Sequence, residues 1–389
     1  MKSRQKQLFP ATAAIVVLTA LGIISCTNSS NQRSSRELET NLAGWPQKIR
    51  GIEYISSADS TAQPALFYAP NTKKPVPLLV ALHTWSGNYL QGMSVPYAQW
   101  CIEKGWVFIH PNFRGPNRNP QATGSELVIA DILSAVDYAK THANVDASRI
   151  YLVGLSGGGY TALLMAGRAP DVWAGVSAWV PIASLADWYF ECRKLKCDHA
   201  DDIVKSCGGP PGTSTAVDIE YRKRSPVTYL SLPLTGEAVN LSLDINAGIK
   251  DGHHSGGVPI SHSLMAFNLI ASEKDRISED DIKYFVEKAQ VPPHLKKDLA
   301  DPTYEKKTPL FRRTSGNARI TIFDGGHEIA YEAALSWLAK QKNKQAVLNN
   351  CLALNPAPHG DFGGMTLGPR TEITQPPQAC ETSSCSTIH

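Results

Sequence analysis

Residues 50–56 and 62–68 alternate apolar and polar positions with a period of two, the pattern of strands that keep one solvated face. Continuous apolar runs follow at 76–82, 106–109, 150–153, 174–180, 241–247 and 320–323. Short runs of this kind suit strands buried on both faces, as in a parallel sheet. Helical spacing lies between them. Ile129, Ile132, Leu133 and Val136 share one helix face after Ser125, a fitting N-cap, and residues 162–166 form another apolar stretch stopped by Pro170. Ala330, Ala334, Leu335 and Leu338 give one more. Strands alternating with helices predict an α/β architecture: right-handed crossovers and a mostly parallel central sheet with helices on both faces.

Two segments interrupt the alternation. Residues 185–234, after the sixth expected strand, carry three cysteines, several aromatics and a Gly-Gly-Pro-Pro turn, and are expected to form a lid-like insertion. Residues 277–317 form an extra insertion expected to be helical. There, Ser278 with Asp281 three positions on gives a capping-box pattern, and Ile282, Phe285, Val286 and Ala289 make a packing face. The folded body is expected over 43–342. The remainder, 343–389, is rich in Pro, Gly, Ser and Thr and reads as an irregular tail.

Composition narrows the function classes. Hydrophobic residues make up 42% and charged residues 19%, which argues against a disordered or fibrous chain. Lys plus Arg number 38 against 35 Asp plus Glu, so no global field recruits nucleic acid or an anionic membrane. The exception is local. Lys2, Arg4 and Lys6 precede an apolar stretch at 8–24, the pattern of a secretory signal, so 1–25 is read as a leader. Its end, Ile23-Ile24-Ser25-Cys26, resembles a bacterial lipobox and makes Cys26 the expected lipidation site. An uncleaved anchor and plain secretion are the alternatives. Residues 26–42 then form a polar tether, and Thr27-Asn28 lack an inner-membrane retention Asp, consistent with an outer-membrane or periplasmic location. Eight cysteines fit an oxidising compartment. Setting Cys26 aside leaves an odd number: Cys101, Cys192, Cys197, Cys207, Cys351, Cys380 and Cys385. With no Cys-x-x-Cys and no zinc-knuckle spacing, structural disulfides are expected rather than a metal.

Gly154-Leu155-Ser156-Gly157-Gly158 matches Gly-x-Ser-x-Gly between an expected strand and an expected helix. A serine at such a turn carries its hydroxyl to the carboxyl edge of the sheet, beside free amides at the helix start that favour an oxyanion. Ser156 is therefore the candidate nucleophile. A neutral hydroxyl needs a base, and among eleven histidines His327 is the best placed: it follows a strand through Asp324-Gly325-Gly326 and precedes the last helix. His253 and His254 lie too near the expected acid, and His359 is in the tail. Asp251, just beyond the run 241–247, is the candidate acid that fixes the imidazole; Asp244 lies within that strand and Asp275 past the next helix. Gly157 should supply one oxyanion donor and Thr84 or Trp85, in the turn His83-Thr84-Trp85-Ser86-Gly87, the other. His83 reads as a strut and Trp85 as either a packing or a substrate-lining residue. This chemistry requires no metal or organic cofactor.

The motifs Pro111-Asn-Phe-Arg-Gly115, Val145-Asp-Ala-Ser-Arg-Ile150, Gly154-Leu-Ser-Gly-Gly-Gly-Tyr160, Ala186-Asp-Trp188, Ser225-Pro226, Gly248-Ile-Lys-Asp251 with Val258-Pro259, and Gly325-Gly-His327 occur in the order of one family. Over residues 52–340 the chain resembles the catalytic domain of the prolyl-oligopeptidase-like (S9) α/β-hydrolases. The resemblance implies the α/β-hydrolase fold and a Ser-Asp-His triad, and a substrate that is either an ester or a short peptide, since that branch includes both peptidases and carboxyl esterases. The chain departs from the pattern at His83-Thr84-Trp85, where the family carries a His-Gly-Gly type turn, and in the added length at 252–257 and 277–317. The residues ahead of the sheet are also too few for the family's β-propeller. That departure favours cleavage of a carboxylic ester through an acyl-enzyme over peptide hydrolysis. A non-catalytic surface binding protein on the same scaffold is the reading from another class.

Overall fold

The computed structural model describes residues 37–38, 42–230, 241–253 and 257–343. Cys26 with the rest of the expected leader, and the tail with Cys351, Cys380 and Cys385, lie outside the described residues. The chain opens with strands β1 (Glu37–Leu38), β2 (Arg50–Ile55), β3 (Ala62–Tyr68) and β4 (Val76–Leu82), then helix α1 (Val95–Lys104) and β5 (Val107–Pro111). Helix α2 (Glu126–His142), β6 (Val145–Leu155), α3 (Gly157–Arg168) and β7 (Gly175–Trp179) follow. Four helices come next: α4 (Leu185–Leu195), α5 (His199–Cys207), α6 (Thr215–Arg224) and α7 (Val227–Leu230). The chain then returns through β8 (Ser242–Gly248), α8 (Ile260–Ile270), α9 (Glu279–Lys288), β9 (Pro309–Ser315), β10 (Ala318–Phe323) and α10 (Tyr331–Leu338).

The strands form one sheet in the order β1-β2-β3-β5-β4-β6-β7-β8-β10-β9. From β5 across to β10 neighbours run parallel, while β1, β2 and β3 at one edge and β9 at the other pair antiparallel. The alternation within single strands sorts side chains to the two faces. In β4, Leu78, Val80 and Leu82 join the core under α2, α3 and α8, whereas Leu79 and Ala81 join the core under α1 and α10. Each such fully buried aliphatic side chain contributes about 2 kcal/mol of burial free energy. This is the α/β architecture the sequence patterning predicts, with helices on both faces.

Local capping agrees with the residues present. Ser125 Oγ accepts from the Val128 amide at the start of α2, and Ser278 Oγ accepts from the Asp281 amide at the start of α9. The face expected on α9 points inward through Phe285, which is fully buried, with Ile282 and Val286 packed beside the same core.

The structure corrects three expectations. The segment 277–317 is not wholly helical: its last part is β9, an antiparallel edge strand paired along β10. Arg312 and Arg313 hid it from the apolar pattern, and their charges are satisfied by Asp301 Oδ2 at 2.9 Å and by the Arg276 carbonyl at 2.9 Å. Second, β1 was not foreseen, so the insertion over 185–230 follows the seventh strand in chain order rather than the sixth. Third, Cys101, Cys192, Cys197 and Cys207 are free thiols rather than disulfides. Cys101, Cys192 and Cys207 are instead buried among apolar neighbours, behaving as small hydrophobes.

Candidate active site

The parallel register dictates which loops can meet. β4 and β6 are neighbours with Leu82 opposite Gly154, so the turn after Leu82 lies beside the turn after Leu155. β8 and β10 are neighbours with Gly248 opposite Phe323, so the loops carrying Asp251 and His327 emerge side by side. All four turns stand at the carboxyl edge of the sheet, where open α/β sheets place their ligand sites.

Ser156 occupies the turn between β6 and α3 with φ 59° and ψ −118°, a conformation that costs a non-glycine residue about 1–3 kcal/mol. Its amide donates to the Trp179 carbonyl at 2.9 Å, which helps hold the turn. The Ser156 hydroxyl donates to His327 Nε2 at 2.8 Å. On the far side of the ring, His327 Nδ1 donates to Asp251 Oδ2 at 2.9 Å, with Oδ1 at 3.1 Å. Asp251 is 2% exposed, and its Oδ1 also accepts from the Val258 amide at 3.0 Å. His327 keeps 30% of its side-chain surface open to solvent. The buried end of the chain is thus acidic and fixed, and the reactive end faces outward.

A Cβ at Gly257 would lie 2.1 Å from Asp251 Oδ1, so bare backbone at Gly257 lies against the carboxylate and the next residue, Val258, brings its N–H to it. The added length and Val258-Pro259 stand out in the sequence, but the bond from the Val258 amide to the Asp251 carboxylate does not. The glycines flanking Asp251 were visible, but their close approach to its carboxylate was not.

Two amides lie next to the nucleophile. A Cβ at Gly157 would fall 2.3 Å from the Trp85 backbone nitrogen, so the two N–H groups are close neighbours at the serine. Gly157 begins α3, where amides have no intrahelical acceptor. Thr84, the alternative donor, is occupied: its N–H donates to Gln91 Oε1 at 3.1 Å. The chain is also tied just beyond this amide, the Trp85 carbonyl accepting from the Asn117 amide at 2.8 Å.

His83 is buried, with its ring stacked on Phe113 at 3.8 Å, and its nitrogens lie 2.9 Å from the Thr84 and Asn112 carbonyls. Burial pushes its pKa down to about 4, against the raising effect of those carbonyls. It reads as a support for the turn, and its ring does not reach the Ser156 hydroxyl through any described hydrogen bond. Phe113 itself sits in the Pro111–Gly115 motif, where Arg114 donates to Asp131 at 2.7 and 2.9 Å and to Asp59 at 2.8 and 3.0 Å. That fork anchors the loop which carries the stacking ring.

The insertion packs onto this edge through Trp85. The Trp85 ring meets Trp188 of α4 edge-on at 4.7 Å and lies 6.0 Å from His199 of α5, and its indole N–H donates to Asp202 Oδ2 at 3.2 Å. Trp85 is 2% exposed, which favours the packing role over a substrate-lining one. Of the rival residues, Asp244 is fully buried and bound to Ser177, Asn246 and Arg319, and Asp275 is bonded to Ser272 and Ser315 away from this edge. Neither meets His327. His253 lies in the turn after Asp251, and His254 and His359 lie outside the described residues. Among the described residues no His, Cys, Asp and Glu grouping could hold a metal ion.

The sheet order, the helices on both faces and the loops gathered at the carboxyl edge are those of the α/β-hydrolase fold. Residues 93–198 match the model of the prolyl oligopeptidase family. Feruloyl esterase B of Neurospora crassa is 27% identical over 175 residues, covering 42% of this chain and 54% of that protein. Feruloyl esterase B of Thermothelomyces thermophilus is 26% identical over 119 residues, covering 28% of this chain and 40% of that protein. The chain thus spans about half, or less, of the length of these relatives. Among solved structures, an acetyl xylan esterase from Paenibacillus sp. R4 superposes with a TM-score of 0.50 at 16% identity, over 79% of this chain and 88% of that one, a likeness of fold.

Proposed function

We propose that the protein is a serine hydrolase that cleaves a carboxylic ester by two-step acyl transfer. The observation that carries this reading is the unbroken hydrogen-bond chain from the Ser156 hydroxyl through His327 to Asp251 beside two adjacent amides. Ser156 Oγ attacks the ester carbonyl while His327 Nε2 takes its proton, and Asp251 holds the Nδ1–H tautomer and offsets the imidazolium charge. The carbonyl oxygen becomes an oxyanion met by the Gly157 and Trp85 N–H groups. Collapse expels the alcohol with the proton from His327, and water repeats the sequence to release the acid and restore Ser156. The ester is favoured over the peptide because the named relatives with sequence similarity are esterases. On this reading the α4–α7 insertion roofs the substrate site, and the basic head, apolar stretch and Cys26 support an exported, lipid-tethered enzyme.

Labelling by a fluorophosphonate tests the nucleophile. The wild-type chain is expected to label and Ser156→Ala is expected not to, with kcat on a simple acyl ester falling by a factor on the order of 10⁶. A panel of acyl esters and Xaa-Pro anilides tests the substrate class. Efficient anilide cleavage with negligible ester turnover would replace the esterase reading by a peptidase. A folded wild-type chain that resists the probe would favour the binding-protein reading.

A further inference from the structure

Helix α5 brings a histidine and a carboxylate to the edge that carries Ser156, and the proposed mechanism uses neither. His199, the first residue of α5, lies 5.2 Å from the Trp188 ring and 6.0 Å from the Trp85 ring by centroid. Asp202, one turn on, accepts the Trp85 indole N–H at 3.2 Å, and its Oδ2 lies 3.7 Å from His199 Nδ1. Trp85 ties this cluster to the nucleophile, because its backbone nitrogen is the one that a Cβ at Gly157 would touch.

Two polar atoms of the cluster are unspent. His199 Nδ1 and Trp188 Nε1 are buried and have no hydrogen-bond partner. Leaving such an atom unpaired costs about 1–3 kcal/mol, which favours a hydrogen bond from His199 Nδ1 to the Asp202 carboxylate beside it. Because Nδ1 is buried while His199 keeps 29% of its side-chain surface open, the exposed edge of the ring is the opposite one, bearing Nε2. Burial lowers the His199 pKa, Asp202 opposes this, and His327 is near enough to disfavour the charged form further. A small turn of the neutral ring toward Asp202 would convert the 3.7 Å approach into an Nδ1–H hydrogen bond and leave Nε2 as an acceptor facing outward.

We propose that His199 is a substrate-binding residue that accepts a hydrogen bond from a hydroxyl group of the ester, and that Asp202 is a positioning residue holding both His199 and the oxyanion donor Trp85. The inference rests on the esterase reading and adds to it a specificity for hydroxylated substrates. The hydroxyl could belong to the acyl part or to the alcohol part, and matched substrates separate the two. Methyl 4-hydroxycinnamate against methyl cinnamate reads the acyl side; 2-hydroxyethyl acetate against ethyl acetate reads the alcohol side.

In the wild type, kcat/KM is expected to favour the hydroxylated member of one pair by about tenfold, the scale of a single hydrogen bond to a confined acceptor. His199→Ala is expected to bring that ratio to about one. Asp202→Ala is expected to lower kcat about tenfold on every ester with little change in KM. Asp202→Asn, which keeps an acceptor for the indole N–H, should recover most of that loss. Wild-type ratios near one in both pairs, ratios unmoved by His199→Ala, or equal kcat losses in the two Asp202 variants would overturn this inference while ester turnover still supports the proposed function. A wild-type chain that turns over none of the four esters and resists the fluorophosphonate would overturn both.

Discussion

Asp244 and Asp251 lie on the same strand and its following turn, both essentially closed to solvent at 0% and 2% exposure, yet their surroundings assign them opposite work. Asp244 accepts from Ser177 at 2.8 Å, from Asn246 at 2.8 Å and from Arg319 Nε at 2.6 Å. Its charge is fully answered by a permanent cation and by dipoles. Asp251 accepts one backbone amide and one imidazole N–H, and on the proposed mechanism its charge is answered in full only when His327 becomes an imidazolium. A carboxylate paired at rest contributes to structure. One paired with a group that acquires charge during the reaction contributes to the barrier. Burial alone does not distinguish the two roles.

Substitution of the two carboxylates tests that difference most directly. Asp251→Asn preserves shape but removes the charge and the tautomer control, and should lower kcat by about 10⁴-fold while the melting temperature changes little. Asp244→Ala should do the reverse. Leaving Arg319 unpaired beside the core should cost about 3–5 kcal/mol in denaturant unfolding, with kcat of the folded fraction preserved. If Asp244→Ala instead reduced turnover without loss of stability, the division between the two sites would be wrong.

The next effect concerns how little room the carboxyl edge has. Gly157→Ala would drive a methyl group into the Trp85 backbone, 2.3 Å away, and should reduce kcat by about 10²–10³-fold through displacement of the two amides, with KM less affected. Normal turnover in this variant would remove Trp85 from the oxyanion site.

The smallest effect lies at the surface. The Arg114 guanidinium beside Asp59 holds that carboxyl well below the usual carboxylate range. Because the folded-state pKa is depressed, the ion pair's contribution is present above the ordinary Asp pKa of about 3.9 and is lost as pH falls through the lower folded value. Asp59→Asn should therefore flatten the acid side of the melting-temperature profile slightly, and leave the neutral-pH rate unchanged. A steeper acid limb in the variant would contradict the assignment.

Much of this molecule is legible in the residues. The run 76–82 became β4 with those bounds, and 62–68 became β3, because continuous or alternating apolar positions report burial on two faces or one. Ser125 and Ser278 cap the helices that follow them, since capping is decided within four residues. Strand β9 was missed because Arg312 and Arg313 are satisfied by groups from other parts of the fold. The bonding of the insertion's cysteines was misjudged for a related reason: cysteine spacing records compartment and composition, not whether two sulfurs meet.

The candidate site divides along the same line. Ser156, Asp251 and His327 could be singled out in the sequence because each stands next to a strand end, and strand ends can be read locally. Their mutual distances, the choice of Trp85 over Thr84 as a neighbouring donor, and the arrival of Asp202 and Val258 were not readable, because none of these is a property of neighbouring residues. The chain alone determined which elements form and which residue types stand at their ends, through short-range propensity and burial periodicity. Only the parallel register of β4 with β6 and of β8 with β10 decided which ends face one another, since pairing between distant strands depends on the packing of the whole sheet.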